Sequence, residues 1–304
     1  MLAAVDAQNV VDALGLGAIY ALMAVGIGLV FGVLRLVNFA YGQLIMAGAF
    51  ALGYASREGW PTWAAILACF AVVIALSLAM EVAVFRPLRT QSPAVMLVAT
   101  FAVAFLLQSV ALLLVLKVQG QLGVPASAVA QLSRAITIGG VEVRKVTIVA
   151  VVVAALALAL LALLLGRTSI GLQMRAASAD FTTSRLLGVS ANRVITIAVL
   201  LSGLIAAAVA VLLTARTPYV QSDFALIDTI IVLVGVVVGG IDRLWTATLG
   251  GFAIGFASGI INGALPTDKS AYLPSVLFGL VILVLLVRPS GLFVRRQASS
   301  VERV

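Results

Sequence analysis

Residues 166–193 read GRTSIGLQMRAASADFTTSRLLGVSANR and decide the fold, because they form a basic island between two long apolar runs. Four arginines and one acid lie within this stretch: Arg167, Arg175, Arg185, Arg193 and Asp180. The apolar runs on either side are close to the ~20 residues that a helix needs to cross a bilayer. The stretch is therefore predicted to be a loop that connects two membrane-spanning helices.

Composition extends this prediction to the whole chain. Of its 304 residues, 63% are hydrophobic and only 10% are charged, whereas soluble domains carry about 25% charged residues. A membrane β-barrel would instead show alternating segments of about ten residues. The sequence predicts an all-α, polytopic helical membrane protein that forms one transmembrane domain over residues 1–304.

Nine apolar segments can be distinguished, and they correspond to eight to ten membrane crossings. In chain order they span residues 10–34, 39–55, 62–85, 94–116, 147–165, 194–214, 225–240, 245–262 and 273–287. The two short segments, 39–55 and 225–240, are rich in glycine. This is typical of broken or re-entrant helices that line a cavity.

The basic residues predict which side of the membrane each loop faces, because cytoplasmic loops carry an excess of Lys and Arg. Placing residues 166–193 in the cytoplasm also places most of the other basic residues there. The amino terminus is then outside and the carboxyl terminus is in the cytoplasm. The long outer loop, 117–146, contains the sequence ITIGGVEV, which predicts a small hairpin.

Several kinds of chemistry are excluded by what the sequence lacks. It has no histidine, no G-x-x-x-x-G-K-[ST] motif for ATP hydrolysis and a single cysteine, Cys69, inside an apolar run. We therefore predict no catalytic residue, no metal site and no cofactor held by this chain. Its net charge of +8 is assigned to topology-setting loops rather than to nucleic-acid binding.

Small residues recur at a spacing of four in the last third of the chain, where they share one helix face. They are Gly251, Gly255, Gly259 and Gly263. Such a face lets two membrane helices approach closely. The spacing predicts helix packing, and the alternative is a sliding surface beside a translocation path.

A polar segment follows the first apolar run. Asn38 and Gln43 offer amide groups and Tyr41 offers a ring with a hydroxyl, so the segment could hold a small polar solute. The alternative is a simple turn between two spans, which physical reasoning on the residues alone favours.

Two carboxylates lie within or near apolar segments, where ionisable groups are costly and are usually functional. Glu81 precedes Arg86 by five residues and is interpreted as a boundary residue paired with a nearby arginine. Asp228 lies near the outer end of a short segment. It either faces an aqueous vestibule, where it would bind a cationic or amino group, or lies at the membrane interface.

Capping residues predict a short helix inside the basic island. Thr168 or Ser169 can start it, Gly188 can stop it, and Ser190 can cap the next span. A helix this short is marginal in water. It should therefore either lie on lipid headgroups or dock into the groove of a partner.

Several blocks of sequence together resemble the permeases of branched-chain amino acid ABC transporters, and the resemblance covers nearly the whole chain. The blocks are GAIYALMAVGIGLVFGVLRLVNFAYGQ at 17–43, FRPLR at 85–89 followed by Thr100, GLQMRAASADFTTSRLLGVSANRV at 171–194, the glycine pairs at 239–240 and 250–251, and PSGL at 289–292.

The resemblance implies an importer in the bacterial inner membrane, with this chain as its non-enzymatic permease subunit. A second permease, usually a different chain, completes the pathway, two cytoplasmic ATPases bind ATP, and a periplasmic binding protein delivers the solute. It places Asn38, Gly42 and Gln43 near the pathway. It assigns to the ATPase contact, as a coupling helix, Arg175, Ala176, Asp180, Leu187 and Gly188.

Departures from the family pattern leave the identity of the transported solute undetermined. Gln43 stands where many members have an acid, and Tyr41 stands where histidine is frequent. Related permeases carry urea, short amides or aromatic acids, so these remain alternatives to branched-chain amino acids. An ion-coupled secondary transporter or channel, using Asp228 or Glu81, is an alternative of another class, as is a membrane scaffold or receptor.

Overall fold

The structure of the chain, a computed structural model, describes residues 7–35, 37–89, 91–119, 122–138, 141–179, 181–240, 243–266 and 272–288. These residues form twelve α-helices and four short strands. The helices are α1 Ala7–Leu34, α2 Tyr41–Arg57, α3 Thr62–Met80, α4 Arg86–Leu88, α5 Pro93–Gln119, α6 Lys145–Arg167, α7 Ser169–Ala179, α8 Phe181–Leu186, α9 Ala191–Arg216, α10 Leu226–Gly239, α11 Leu244–Ala264 and α12 Leu273–Val287. The strands are β1 Gly123–Pro125, β2 Ala135–Ile138, β3 Val141–Arg144 and β4 Tyr219–Gln221.

The prediction of an all-α polytopic membrane protein is confirmed. Each of the nine predicted apolar segments coincides with a helix, namely α1, α2, α3, α5, α6, α9, α10, α11 and α12. Within the described part of the chain, six helical stretches are long and apolar enough to cross a membrane. The apolar helices α10 and α12 are shorter, as expected for α10 from its short, glycine-containing segment.

Helix α1 is the centre of the bundle. It is apolar on all sides and is buried over most of its length, as expected for a helix that is hydrophobic all round. Helices α6, α9, α10 and α11 pack around it. Helices α5 and α12 lie at the periphery and expose many large apolar side chains, which suits contact with lipid.

The glycines spaced by four on α11 face α1, and the two helices run antiparallel. The contacts, in order along α11, are Gly251 with Ala24, Gly255 with Tyr20, Gly259 with Ala13 and Gly263 with Asn9. A Cβ atom built on Gly255 would lie 2.7 Å from the Tyr20 Cβ. Because these positions carry no side chain, the two backbones approach more closely than any larger residue would permit.

Residues 117–146 form one antiparallel strand pair among themselves and supply one strand of a second pair. The predicted hairpin is confirmed as β2 paired with β3, with Ile136 opposite Val143. The second pair was not predicted, because β1 and β4 are far apart in sequence. Val124 of β1 lies opposite Val220 of β4, so this pair fixes the chain just before α10 enters the bundle.

A π-helical turn, Glu81–Phe85, links α3 to α4. Pro87 explains this turn, since proline has no N–H and its ring conflicts with the carbonyl four residues earlier. A carboxylate oxygen of Glu81 lies 3.2 Å from the Arg86 guanidinium. The predicted pairing of Glu81 with a nearby arginine is therefore confirmed.

We predict that Gly255→Ala lowers the thermal stability of the purified protein by about 1–3 kcal/mol, because the added methyl overpacks the contact between α1 and α11. Gly279→Ala is the matched control. Gly279 is a helical glycine of α12, and among the described residues no atom beyond its own stretch of helix lies within 4 Å of the place its Cβ would occupy. Thermal unfolding in detergent measures both variants, and equal melting temperatures would contradict the close packing.

Candidate functional site

A cavity of about 60 Å³ lies between the segment before α2, helix α5 and helix α10. It is lined by apolar side chains and by four polar ones. The lining residues are Ile27, Asn38, Phe39, Gln43, Phe101, Ala104, Phe105, Gln108, Leu226, Thr229, Ile230 and Leu233. The first turn of α10 thus meets the start of α2 inside the bundle, as expected for two short helices that border a cavity.

Asn38 both stabilises the turn before α2 and lines the cavity. Its Oδ1 accepts a hydrogen bond of 3.0 Å from the backbone N–H of Ala40. This local bond is the usual way in which asparagine stabilises a turn. The two interpretations of this segment, a turn and a polar site, are therefore compatible, because the turn carries Asn38 and Gln43 to the cavity wall.

Gln43 carries the unusual polar group of this site. The residue is 1% exposed, and its Oε1 has no hydrogen-bond partner within the described part of the chain. An unsatisfied buried acceptor costs about 1–3 kcal/mol. A solute or water that donates an N–H or O–H to this oxygen would recover that free energy, so Gln43 is the group best placed to bind a polar solute.

Aromatic rings form an apolar part of the cavity wall. The Phe39 and Phe101 rings stack with centroids 4.0 Å apart, and Phe105 continues the stack along α5 at 6.5 Å. This wall suits the apolar part of an amphipathic solute. At about 60 Å³ the cavity is smaller than the 150 Å³ or so that admits benzene, so it must open before a solute of leucine size can enter.

Two other predicted pathway residues pack around the cavity without lining it. A Cβ atom on Gly42 would lie 3.0 Å from the Ala225 carbonyl oxygen, and it would also meet the Thr229 hydroxyl. Glycine here lets the start of α2 contact the start of α10. Tyr41 is fully buried with its hydroxyl against Gly26, and this hydroxyl has no partner among the described residues.

Asp228, the last predicted pathway residue, faces α1 rather than the cavity. It accepts a short hydrogen bond from the Tyr20 hydroxyl. Tyr20 lies thirteen residues along α1, about 20 Å from its start at 1.5 Å per residue, so Asp228 is deep in the bundle. The first turn of α10 is thus held to α1 through Asp228, while its neighbour Thr229 lines the cavity.

Two of these residues were missed from the sequence. Tyr20 lies in an apolar run, and nothing nearby in the sequence indicates that its hydroxyl meets a carboxylate. Gln108 could have been found, because it is the one amide in the long apolar stretch 94–116, where a polar side chain usually has a function.

The basic island forms two short helices, α7 and α8, on either side of Asp180, which lies outside the described residues. Thr168 caps the first, accepting a 3.0 Å hydrogen bond from the Gly171 N–H. Gly188 has a φ of +89°, as suits a residue that ends a helix. Arg175 is exposed and Ala176 is half-buried, and Leu186 and Leu187 are 84% and 81% exposed.

A hydrogen bond joins α7 to the end of α1. The Arg35 guanidinium donates to the Ser178 carbonyl oxygen at 2.6 Å. Arg35 itself has a φ of +54°, which is uncommon for a residue with a side chain, and it ends the helix that leads into the cavity segment. The basic island and the cavity are therefore connected through one short stretch of chain.

Comparison with known proteins agrees with this architecture. The family model described as branched-chain amino acid transport system / permease component matches residues 9–286. The high-affinity branched-chain amino acid transport system permease protein BraD of Pseudomonas aeruginosa is 29% identical over 305 residues, covering 97% of each chain. The corresponding permease protein LivH of Escherichia coli K12 is 27% identical over 311 residues, again covering 97% of each.

Solved structures support the fold alone. PsaBC from Streptococcus pneumoniae, in complex with Fab, has a TM-score of 0.55 at 10% identity, over 92% of this chain and 91% of that one. An ABC transporter of metal-chelate type in an inward-facing conformation has a TM-score of 0.53 at 20% identity, over 92% and 86%.

We predict that Tyr20→Phe destabilises the protein by about 1–3 kcal/mol, because it leaves the Asp228 carboxylate without its donor. Tyr41→Phe is the matched control, since it removes a buried hydroxyl that has no described partner and should be neutral or stabilising. Thermal unfolding measures both variants. An equal loss of stability in the two variants would contradict the assignment of Tyr20 as the residue that holds α10 to α1.

Proposed function

Since the chain belongs to the family of permease components of branched-chain amino acid transport systems, we propose that it forms half of the membrane pathway of an ATP-driven importer in the bacterial inner membrane. A second permease, usually a different chain, forms the other half. Two cytoplasmic ATPases bind and hydrolyse ATP, and a periplasmic binding protein delivers the solute. The solute is a branched-chain or similar small amino acid.

The observation that carries this proposal for the solute is that Gln43, whose side-chain oxygen has no described hydrogen-bond partner, lines a mainly apolar cavity. An amino acid offers an ammonium group, which donates to such an oxygen, and an aliphatic side chain, which packs on the rings of Phe39 and Phe101. Urea has no apolar part to match that wall. An aromatic acid could stack on the aromatic wall. Its carboxylate, however, accepts hydrogen bonds and could not donate one to the Gln43 oxygen.

The ATPases dock at α7 and α8. Leu172, Leu186 and Leu187 are large, exposed apolar side chains on this short helical segment. Exposed apolar surface beside charged residues is typical of a helix that fits a partner's groove. On this proposal Arg175, Ala176, Leu187 and Gly188 contribute to the ATPase contact, as does Asp180.

Force from the ATPases reaches the cavity through the end of α1. The hydrogen bond from Arg35 to the Ser178 carbonyl joins α7 to the residues that precede α2. Those residues include Asn38 and lead directly to Gln43 at the cavity wall. Closure of the ATPases on ATP would move α7, and the pathway would change its accessible side, which is a two-state change biased by a ligand.

The proposed orientation puts the amino terminus outside and the carboxyl terminus in the cytoplasm. In the structure Arg35, Arg89, Arg175 and Arg243 gather at the end of the bundle that carries α7, which supports a cytoplasmic location for that end. The strand pairs β1–β4 and β2–β3 lie at the opposite end, where the binding protein would dock.

Ion coupling is less well supported as the driving force. It would need an ionisable group free to bind the coupling ion within the membrane. Both carboxylates nominated from the sequence have partners, because Glu81 pairs with Arg86 and Asp228 accepts from Tyr20.

We predict that Leu187→Ser abolishes ATP-dependent uptake in vesicles reconstituted with the partner subunits, while the stability of the isolated chain is unchanged. The reason is that Leu187 is exposed in the free subunit and buried only against an ATPase. Leu122→Ser, at a residue that is 64% exposed at the opposite end, is the matched control for co-purification of the ATPases, which only Leu187→Ser should abolish. Normal uptake by Leu187→Ser would contradict the docking site.

We predict that Gln43→Leu lowers uptake of leucine at subsaturating concentration by roughly ten- to a hundredfold, the contribution of one hydrogen bond to a charged group. The melting temperature should stay the same or rise, because the change removes a buried acceptor without a described partner. ATPase assembly should be unaffected. Unchanged uptake would show that the solute does not use this oxygen.

A further inference from the structure

Gln108 is an amide in the middle of a membrane-spanning helix. It lies fifteen residues after Pro93, where α5 begins, and eleven residues before Gln119, where α5 ends. At 1.5 Å per residue it is therefore roughly 16 Å or more from either end. Within the described part of the chain its side chain makes no hydrogen bond. An amide that deep in a bilayer costs free energy unless it is hydrogen-bonded, so Gln108 needs a solute or water in the space that it borders.

That space is the cavity of about 60 Å³ that Gln43 also lines. The two glutamines come from different helices, α5 and α2. The other polar side chains of the wall already make hydrogen bonds. The Thr229 hydroxyl donates to a carbonyl of its own helix, and the Asn38 Oδ1 accepts from the backbone of the turn. The two glutamines are therefore the side chains of this wall with the most hydrogen-bonding capacity left for a solute.

The cavity offers a charged solute only neutral groups, because no ionisable side chain is found among the described residues that line it. An α-amino acid carries its ammonium and its carboxylate on the same carbon, so the groups that bind them must border one small space. A carboxylate accepts hydrogen bonds and cannot donate them. Its partner must therefore supply N–H groups, and a neutral amide has two. Hydrogen bonds to a charged group are roughly twice as strong as those between neutral groups.

We propose that Gln108 determines specificity in this cavity, because its amide N–H groups bind the carboxylate of the amino acid whose ammonium donates to Gln43. This inference rests on the proposed function, in which the solute is an amino acid. Asn38 also has amide N–H groups on the wall, but it is 3% exposed and is held in its turn by a hydrogen bond. Gln108 is half-buried and has no such bond, so its amide is free to turn towards a carboxylate.

A solute bound in this way joins α5 to α2. Near the cavity the hydroxyl of Thr100 on α5 reaches the Val37 carbonyl only at 3.5 Å, which is long for a hydrogen bond. A zwitterion that contacts Gln43 with one group and Gln108 with the other adds a connection between the two helices. An amine or an acid of the same shape makes only one of these contacts. The cavity therefore selects zwitterions.

The test measures binding of three radiolabelled probes to the full-length chain assembled with its partner subunits in detergent, without the binding protein. The probes are leucine, 3-methylbutylamine, which lacks the carboxylate, and 4-methylpentanoate, which lacks the ammonium. We expect Gln108→Met to weaken binding of leucine and 4-methylpentanoate about tenfold, the effect of one hydrogen bond to a charged group, and to leave 3-methylbutylamine unchanged. Gln43→Leu should do the converse, weakening leucine and the amine and sparing the acid.

Two further variants make the result specific. Gln131→Met makes the same substitution at an exposed residue outside the cavity and should bind all three probes as the unmodified complex does. Gln108→Glu keeps the shape of the side chain and should weaken binding of 4-methylpentanoate while strengthening that of 3-methylbutylamine, since the new carboxylate repels one and attracts the other.

The outcomes separate this inference from the proposed function. If the unmodified complex does not bind leucine, the amino-acid solute itself is wrong, and the role of Gln108 is overturned with it. If the unmodified complex binds leucine, the role of Gln108 alone is overturned by either of two results. One is unchanged binding of 4-methylpentanoate by Gln108→Met, and the other is an equal weakening of all three probes.

Discussion

The rest of the structure depends on the close approach of α1 and α11. In a bilayer the hydrophobic effect does not hold helices together, because lipid is as apolar as their side chains, so van der Waals contact must do so. Glycine at every fourth position of α11 lets its backbone meet that of α1 along most of its length. Helix α1 is thereby fixed as a buried axis, and α6, α9 and α10 are positioned by packing on it.

Gln43 combines two properties that set it apart from the other buried polar groups of this bundle: its oxygen has no hydrogen-bond partner among the described residues, and its side chain lines a cavity. The Ser202 hydroxyl donates to the Gly26 carbonyl at 2.8 Å, and the Thr229 hydroxyl donates to the Ala225 carbonyl at 2.6 Å. The Gln43 oxygen is different, because it has no such partner among the described residues, and Gln43 lines the cavity. Leaving this oxygen without a hydrogen bond costs about 1–3 kcal/mol. That cost is understandable if a bound solute donates the missing hydrogen bond.

The sequence predicted the helices well, because nine apolar segments leave a membrane protein few alternatives. It also placed Asn38 and Gln43 near a possible site, since amides beside an apolar run are conspicuous. It could not show that Asp228 turns away from the cavity towards Tyr20, because that contact joins residues 208 positions apart. The pairing of β1 with β4 was missed for the same reason, as short strands without a common turn carry no local signal.

The arrangement around the cavity also indicates which wall yields most easily when the cavity opens. Helix α10 is held at its first turn by the Tyr20 hydroxyl, and further along it packs through Gly235 and Gly239 on α11. The segment before α2 is held by the Asn38 turn. Helix α5 has neither kind of anchor at the cavity: Thr100 reaches the Val37 carbonyl only at 3.5 Å, and Phe101 and Phe105 expose much of their surface. Displacing α5 therefore breaks the fewest strong contacts and widens the cavity beside Gln43.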